Sequence, residues 1–276
     1  VNPGILTSGY APPPMPYGLL GRALPVPMPA RPIGWDADAE NYLRRVEAAD
    51  GQSLESGVAV AVNNFVFGCK ADGIWYAIKA SCILMGARTL SGALTPLVGA
   101  APTNNNFVSG DYDRRTGLIG NGSTKEINSL RNNNADPQNN HHLSVFVSQL
   151  SGASAILIGT GATAGGSQIL RSSGTHQTRS RNAGAGLTVA GGNITGFRGT
   201  SRSSGSEYFD KIAATNRTAT NASQTPLNAN IFVHSRGGGD FATDRIAFYS
   251  IGEALSLDAI ESRVSALFNA IGAAIR

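Results

Sequence analysis

The chain has 276 residues, of which 41% are hydrophobic and only 14% charged, with a formal net charge of +4. An average globular protein is about 25% charged, so Gly, Ser, Thr and Asn take the place of charge here, which suits short strands joined by many turns. Lys is sparse and no basic block occurs, so the composition gives no reason to expect a nucleic-acid partner, even with a pI near 9.3. No run of about 20 apolar residues exists, so no membrane span is expected.

Residues 1–35 form the first segment and are expected to be an extended anchoring arm. Nine of the 13 prolines fall within residues 1–34. Each fixes φ and removes a backbone donor, which rules out a helix and disfavours a central strand. The segment is also apolar, through Met15, Tyr17, Leu19, Leu20, Leu24, Val26 and Met28. That combination suits docking on another protein surface, or wrapping on its own domain. No basic region followed by an apolar run marks a secretory leader.

Residues 36–88 change to helical spacing and are expected to form a small module of two or three helices. Tyr42, Leu43 and Val46 share one face, and Gly51 stops the first helix. Ser53, Glu55 and Ser56 can open a second. A third is read through "GIWYAIKASCILMGA", with Phe65, Trp75 and Tyr76 in the core. Cys69 and Cys82, the only cysteines, support neither a disulfide framework nor a zinc site and read as buried thiols. Residues 89–116, with Pro96, Pro102 and an Asn run, read as a linker.

From 117 onward the pattern is β. "HHLSVFVSQL" sets Leu143, Val145 and Val147 against Ser144, Phe146 and Ser148. "ASAILIGTG", "SQILRSSG", "GLTVAGGNITGFRGT", "NANIFVHSRG" and "RIAFYSIGEA" are further short strands bounded by turn residues. Such spacing predicts an antiparallel sandwich over 117–276 rather than βαβ units. A closing helix is expected over 256–274. Ser256 caps it, and Leu257, Ile260, Val264, Leu267, Phe268 and Ile271 make one apolar stripe.

Candidate chemistry is thin. "RNNNADPQNNHH", residues 131–142, gathers Asn133, Asn134, Asp136 and His141. It reads as a polar loop between two strands, as a loop facing a sugar or a subunit, or as a metal site. Pro137 forbids a continuous ladder there, and Asn and Asp can bond their own backbone. Residues 171–217 carry Arg171, Arg179, Arg181, Arg198, Arg202, Lys211 and Arg217 against Glu207 and Asp210. This reads as a solvated Arg-rich face or as a surface for an anionic partner, with Arg179, Arg181, Arg198 and Arg202 as its contact residues. Glu207 and Asp210 would point to opposite faces of a strand, so they cannot flank one glycosidic bond. No G-x-S-x-G elbow is present, and no His stands in a catalytic pattern; His234 reads as a sheet residue. The Gly-rich "GTGATAGG" is followed by a strand and reads as a hairpin loop, not a phosphate loop. No enzymatic activity, metal or cofactor is expected.

The stretch "APTNNNFVSGDYDRRTGLIGNGSTKEINSLRNNNADPQNNHHLSVFVS" at 101–149 resembles a domain that recurs in proteins of tailed bacteriophages, especially those of aquatic bacteria. "RIAFYSIGEALSLDAIESRVSALFNAI" at 245–271 resembles the end of the same domain. "VEAADGQSLESGVAVAVNNFVFGCKADGIWYAIKASCILMGARTLSGALTPLVG" resembles the helical module that often precedes it. The resemblance covers about residues 38–271. It implies a concanavalin A-like lectin/glucanase jelly-roll sandwich in a virion protein: a tail, fibre or baseplate attachment component, or a capsid decoration protein. Partners would be other virion proteins held through the arm, further copies of the chain with a trimer favoured, and a host surface glycan. The hydrolase branch of that superfamily carries E-x-D-x-x-E on one strand, which this sequence lacks, so the resemblance favours binding over catalysis. The legume-lectin branch holds calcium and manganese with Asp, Asn, His and Glu; Asn134, Asp136 and His141 are the comparable residues, but their spacing departs from that pattern.

Overall fold

The computed structural model describes residues 34–275 apart from positions 153 and 162, and the side chains at 154 and 155. Met15, Tyr17, Leu19, Leu20, Leu24 and Met28 of the expected arm lie outside the described residues. In chain order the elements begin with α1 (Ala37–Asp50), α2 (Ser56–Ala71), β1 (Ile78–Ile83), the single-turn α3 (Leu90–Ala93), β2 (Thr103–Asn105), β3 (Tyr112–Asp113) and β4 (Gly117–Ile119). Next come β5 (Glu126–Asn132), β6 (His141–Gln149), β7 (Ser154–Gly159), β8 (Ser167–Ser172), β9 (Thr175–Ser180) and β10 (Leu187–Ala190). Last are β11 (Gly196–Arg202), β12 (Tyr208–Ile212), β13 (Thr215–Ala219), β14 (Asn230–Val233), β15 (Arg245–Gly252) and α4 (Leu257–Ala274).

The strands form two antiparallel sheets. The larger runs β13-β12-β11-β6-β15-β4-β3, with β1 also on β15; the smaller runs β10-β9-β8-β7-β14-β5-β2. The mainly β sandwich expected from the sequence is therefore the fold, with helices at its start and end. Between the sheets lies one apolar core, including Leu118, Ile127, Leu143, Val145, Val147, Ile158, Ile169, Ile231, Val233 and Ile251.

A second core covers the other face of the larger sheet. There Phe146, Phe197 and Phe248 meet Tyr42, Leu43, Val46, Val62 and Phe65 from α1 and α2, and Leu257, Ile260, Val264, Leu267 and Ile271 from α4. The alternation in β6 thus separates two apolar cores: Leu143, Val145 and Val147 enter one and Phe146 the other. Phe65 packs edge-on to Phe248 at 5.7 Å between ring centroids, and Phe146 meets Phe268 at 4.5 Å. The closing helix α4 covers this sheet face beside α2.

Local chemistry explains the helix ends. Asp36 caps α1 by accepting from the Asp38 amide and also accepts from Lys70 Nζ at 2.8 Å, while its own amide donates to Asn63 Oδ1, which fastens the start of α1 to α2. Gly51, at φ 69°, ends α1. Ser256 caps α4 by accepting from the Ala259 amide, as the sequence predicts. Two glycines let α2 and α4 approach closely: a Cβ at Gly57 would lie 2.8 Å from Ala274 Cβ, and one at Gly68 would lie 2.8 Å from the Arg263 side chain.

Three expectations change. Residues 74–88 do not form a third helix. A 3₁₀ turn over Trp75–Ala77 leads into β1, which pairs with Phe248–Gly252 of β15. A short apolar run fits helix and strand alike, and an available sheet edge decides the matter. Residues 89–116, read as a linker, carry α3, β2 and β3; β2 pairs with β5 and β3 with β4. Trp75 and Phe65 are buried as expected, but Tyr76 is 76% exposed, because the 3₁₀ turn points it outward. The Gly-rich stretch 159–166 is the β7–β8 hairpin connection, as read.

Candidate functional site

The loop "RNNNADPQNNHH" is built around a buried guanidinium. Arg181 sits just past β9 at φ 56° and is fully buried. Its Nη1 donates to the carbonyls of Asp136 (3.2 Å), Pro137 (2.5 Å) and Gln138 (3.3 Å). Its Nη2 donates to the Asn133 carbonyl and to His141 Nδ1 at 3.2 Å. His141 therefore carries its proton on Nε2, and burial together with Arg181 holds its pKa well below the usual histidine range. Asn133 is buried and donates to the carbonyls of Gly165 and Leu227; Asp136 pairs with Arg131; Asn134 alone of the four is exposed. The loop is held as one piece by donors from inside the fold.

The arginines of 171–217 are the larger correction. Arg171, Arg181, Arg198 and Arg202 are at most 2% exposed, so they form neither a solvated face nor a surface for an anionic partner. They project into the space between the sheets, beyond the apolar core. Arg171 pairs with buried Asp244 at 2.7 Å and donates to the carbonyls of Ser151 and Gly152. Arg198 donates to the carbonyls of Gly192 and Ile194 and to His176 Nδ1. His176 Nε2 lies 2.8 Å from Asp210 Oδ1, and Arg217 lies 3.6 Å from Asp210 Oδ2. Arg202 donates to the carbonyls of Ser180, Ser204, Glu207 and Asn221 and lies 5.2 Å over the Tyr208 ring. Burial pushes Arg181 and Arg198 down to about 10, so both stay charged. Each guanidinium spends its planar array of donors on loop carbonyls. Arg179, half-buried on β9, is the one expected contact residue of this group that keeps surface.

The histidines outside this network are also internal. His142 Nδ1 donates to the Glu253 carbonyl at 2.5 Å, so its Nε2 accepts from Ser250 Oγ at 2.6 Å. A Ser–His contact of this kind is the geometry of an activated nucleophile, and no sequence motif announces it. Both residues are completely buried on the larger sheet. Burial lowers His142 to about 4. His234 lies one residue past β14, at φ 68°, with its ring 5.2 Å from Phe107.

A groove of about 600 Å³ opens to solvent beside the start of α4. Its floor is the outward face of β12 and β13; its wall is the segment 254–258 that leads into α4. Phe209, Asn216, Arg217, Thr218, Ser256 and Asp258 line it, with Ser201 and Ser203 from the end of β11. On β12, Tyr208, Asp210 and Ile212 face the interior, which turns Phe209 and Lys211 outward. Phe209 is 46% exposed. Lys211 is covered by α4 and binds Asp258 at 2.5 Å and Glu261 at 2.9 Å. Asn216 donates to the same Asp258 oxygen, Oδ1, at 2.8 Å, and accepts from Lys211. The hydrogen bond from Lys211, then that from Asn216, holds the Asp258 carboxyl below its ordinary range. The result is an apolar ring beside a fixed carboxylate and amide.

None of the groove residues stood out in the sequence as a site. Lys211 and Arg217 belong to the basic stretch of 171–217. The one available signal was Phe209, an aromatic residue out of phase with Tyr208 and Ile212.

No protein family matches the chain, and no curated protein matches it. Among solved structures it is similar to the receptor-binding domain of botulinum neurotoxin D, at 11% identity and a TM-score of 0.45, over 69% of this chain and 52% of that one. It is also similar to the serotype D ligand-binding domain in complex with N-acetylneuraminic acid, at 12% and 0.45, over 70% and 50%. A third is a structure of botulinum neurotoxin type C, described as dependent on two ganglioside molecules for cell entry, at 10% and 0.45, over 71% and 51%. The chain spans about half the length of each.

Proposed function

We propose that this chain is a non-enzymatic binding protein of a phage virion, and that the groove beside α4 takes a carbohydrate of the host surface. The observation that carries the carbohydrate reading is the exposed Phe209 ring beside the Asp258–Asn216 pair that Lys211 fixes in place. A sugar offers an apolar C–H face and a rim of hydroxyls. The ring serves the first and the planar polar groups serve the second. Polar groups already oriented by a buried cation lose little entropy when they bind. The virion assignment rests on the resemblance of residues 101–149 and 245–271 to tailed-phage proteins; a tail or fibre component is the first form of it and capsid decoration the second.

A glycan array probed with the purified chain tests the carbohydrate reading. Binding that Phe209→Ala abolishes, with the melting temperature unchanged, supports it; an array without signal rejects it. Antibody labelling of intact particles separates tail from capsid, and light scattering of the purified chain reads its oligomeric state. A hydrolase is the competing class, through Ser250 and His142. Their complete burial argues for a structural contact, and a fluorophosphonate probe that labels Ser250 in the native chain would reverse that judgement.

A further inference from the structure

Resting on the carbohydrate reading, we propose that the groove beside α4 selects neutral oligosaccharides, built of hexose or N-acetylhexosamine, and rejects those bearing a carboxylate.

The charges around the groove carry this. Two cations stand near it, Lys211 and Arg217, and each faces a carboxylate of the chain. Lys211 has a side chain only 3% exposed and binds two carboxylates, Asp258 and Glu261. Arg217 lines the groove with a side chain 26% exposed and lies 3.6 Å from Asp210, whose other oxygen is held by His176. Counting Lys211 and Arg217 against Asp210, Asp258 and Glu261 leaves two positive and three negative groups. The most accessible of the five is Asp258, with a side chain 66% exposed.

The start of α4 does not reverse this balance. A helix N-terminus attracts an anion through its free amides and dipole. Here Ser256 Oγ accepts from the Ala259 amide, and Asp258 occupies the first turn as a resident anion. The position that would take a ligand carboxylate is therefore filled by the chain's own.

Hydrogen-bond direction points the same way. Lys211 and Asn216 both donate to Oδ1 of Asp258, which leaves Oδ2 to accept from a ligand. A sugar hydroxyl can donate to it, and a hydrogen bond to a charged acceptor is the stronger kind. A carboxylate has no proton to donate and meets like charge, which is costly at a specific interface.

Two matched pairs of probes test the inference on the full chain by titration calorimetry: lactose against sialyllactose, and galactotetraose against tetragalacturonate. The neutral member of each pair is expected to bind at least about tenfold more tightly at low salt, from repulsion between Asp258 and the nearest ligand carboxylate across several ångströms of partly wet groove. The gap should narrow as salt screens it. Asp258→Asn keeps Oδ1 as the acceptor for Lys211 and Asn216 and removes the charge, so it should bring each pair to within about threefold. Equal or tighter binding of the acidic members overturns the inference and leaves the carbohydrate reading standing. A preference for neutral sugars that ignores both salt and Asp258→Asn also overturns it, because the selection would then be steric. Failure of all four probes to bind, beside an array without signal, removes the carbohydrate reading itself.

Discussion

Arg181→Ala is the sharpest test of how this sandwich is held together. The substitution deletes the donors to four loop carbonyls, at Asn133, Asp136, Pro137 and Gln138, and to His141 Nδ1. Alanine at φ 56° carries the same left-handed strain as arginine, so the change isolates the side chain. An acceptor left without a partner in the interior costs about 1 kcal/mol or more. The Pro137 carbonyl keeps the Asn140 amide at 2.9 Å, so the other four acceptors sum to roughly 4 kcal/mol. Against this stands the penalty that the native state already bears for burying a charge, which the variant no longer carries; the net loss is about 2–3 kcal/mol. For a unit of this size 1 kcal/mol corresponds to roughly 2–4 °C, so the melting temperature should fall by about 8 °C. Hydrogen exchange should rise selectively in amides 131–142. Arg179→Ala, two residues earlier and only half-buried, serves as the control and should shift melting by no more than about 2 °C. If both variants melt alike, or if Arg181→Ala leaves exchange in the loop unchanged, Arg181 is not the post around which the loop is built.

Stability should also fall as pH is lowered below neutrality. His141, His142 and His234 are buried with pKa values lowered by burial, to about 4 for His142 and about 3 for His234. Their folded values lie below the unfolded value of about 6.5, so the unfolded chain binds protons first, and the stabilisation present above about pH 6.5 is lost on the way down to the folded values, at up to about 1.4 kcal/mol per pH unit for each histidine. The depressed carboxyls Asp36, Glu55, Asp111 and Asp258 extend the loss to lower pH by the same sign. A melting temperature that stays flat between pH 7 and pH 5 would contradict this. Ser256→Ala removes the cap of α4 and should cost about 1 kcal/mol in chemical denaturation. Cys69 and Cys82 are buried with thiols pushed up to about 12, so a thiol reagent should leave both untouched in the native protein and modify both in denaturant.

The parts of this fold that the sequence announced are those decided by local periodicity. Leu143, Val145 and Val147 alternate because they share the face of β6 that enters the core between the sheets, and the stripe from Leu257 to Ile271 repeats as a helix must. The caps at Gly51 and Ser256 are equally local, since each satisfies backbone groups within one turn. β1 was not legible, because "IKASCI" becomes a strand only through β15, whose pairing residues lie more than 160 positions away. The basic stretch was misread for a related reason. A strand whose inward residues are Arg198, Thr200 and Arg202 looks like a solvated one until β9 and the loop carbonyls close over it. Charge predicts exposure only when nothing inside the protein can replace water around it. Here loop carbonyls, His176 and Asp244 do that, and they come from segments distant in sequence. The groove follows the same rule: Phe209, Asn216 and Asp258 are ordinary residues of two strands and a helix. Sequence alone determined the elements whose local periodicity is strong, such as β6 and α4, and their apolar faces; only tertiary structure decided β1, the strands inside the expected linker and which polar groups meet, because these depend on contacts between segments far apart along the chain.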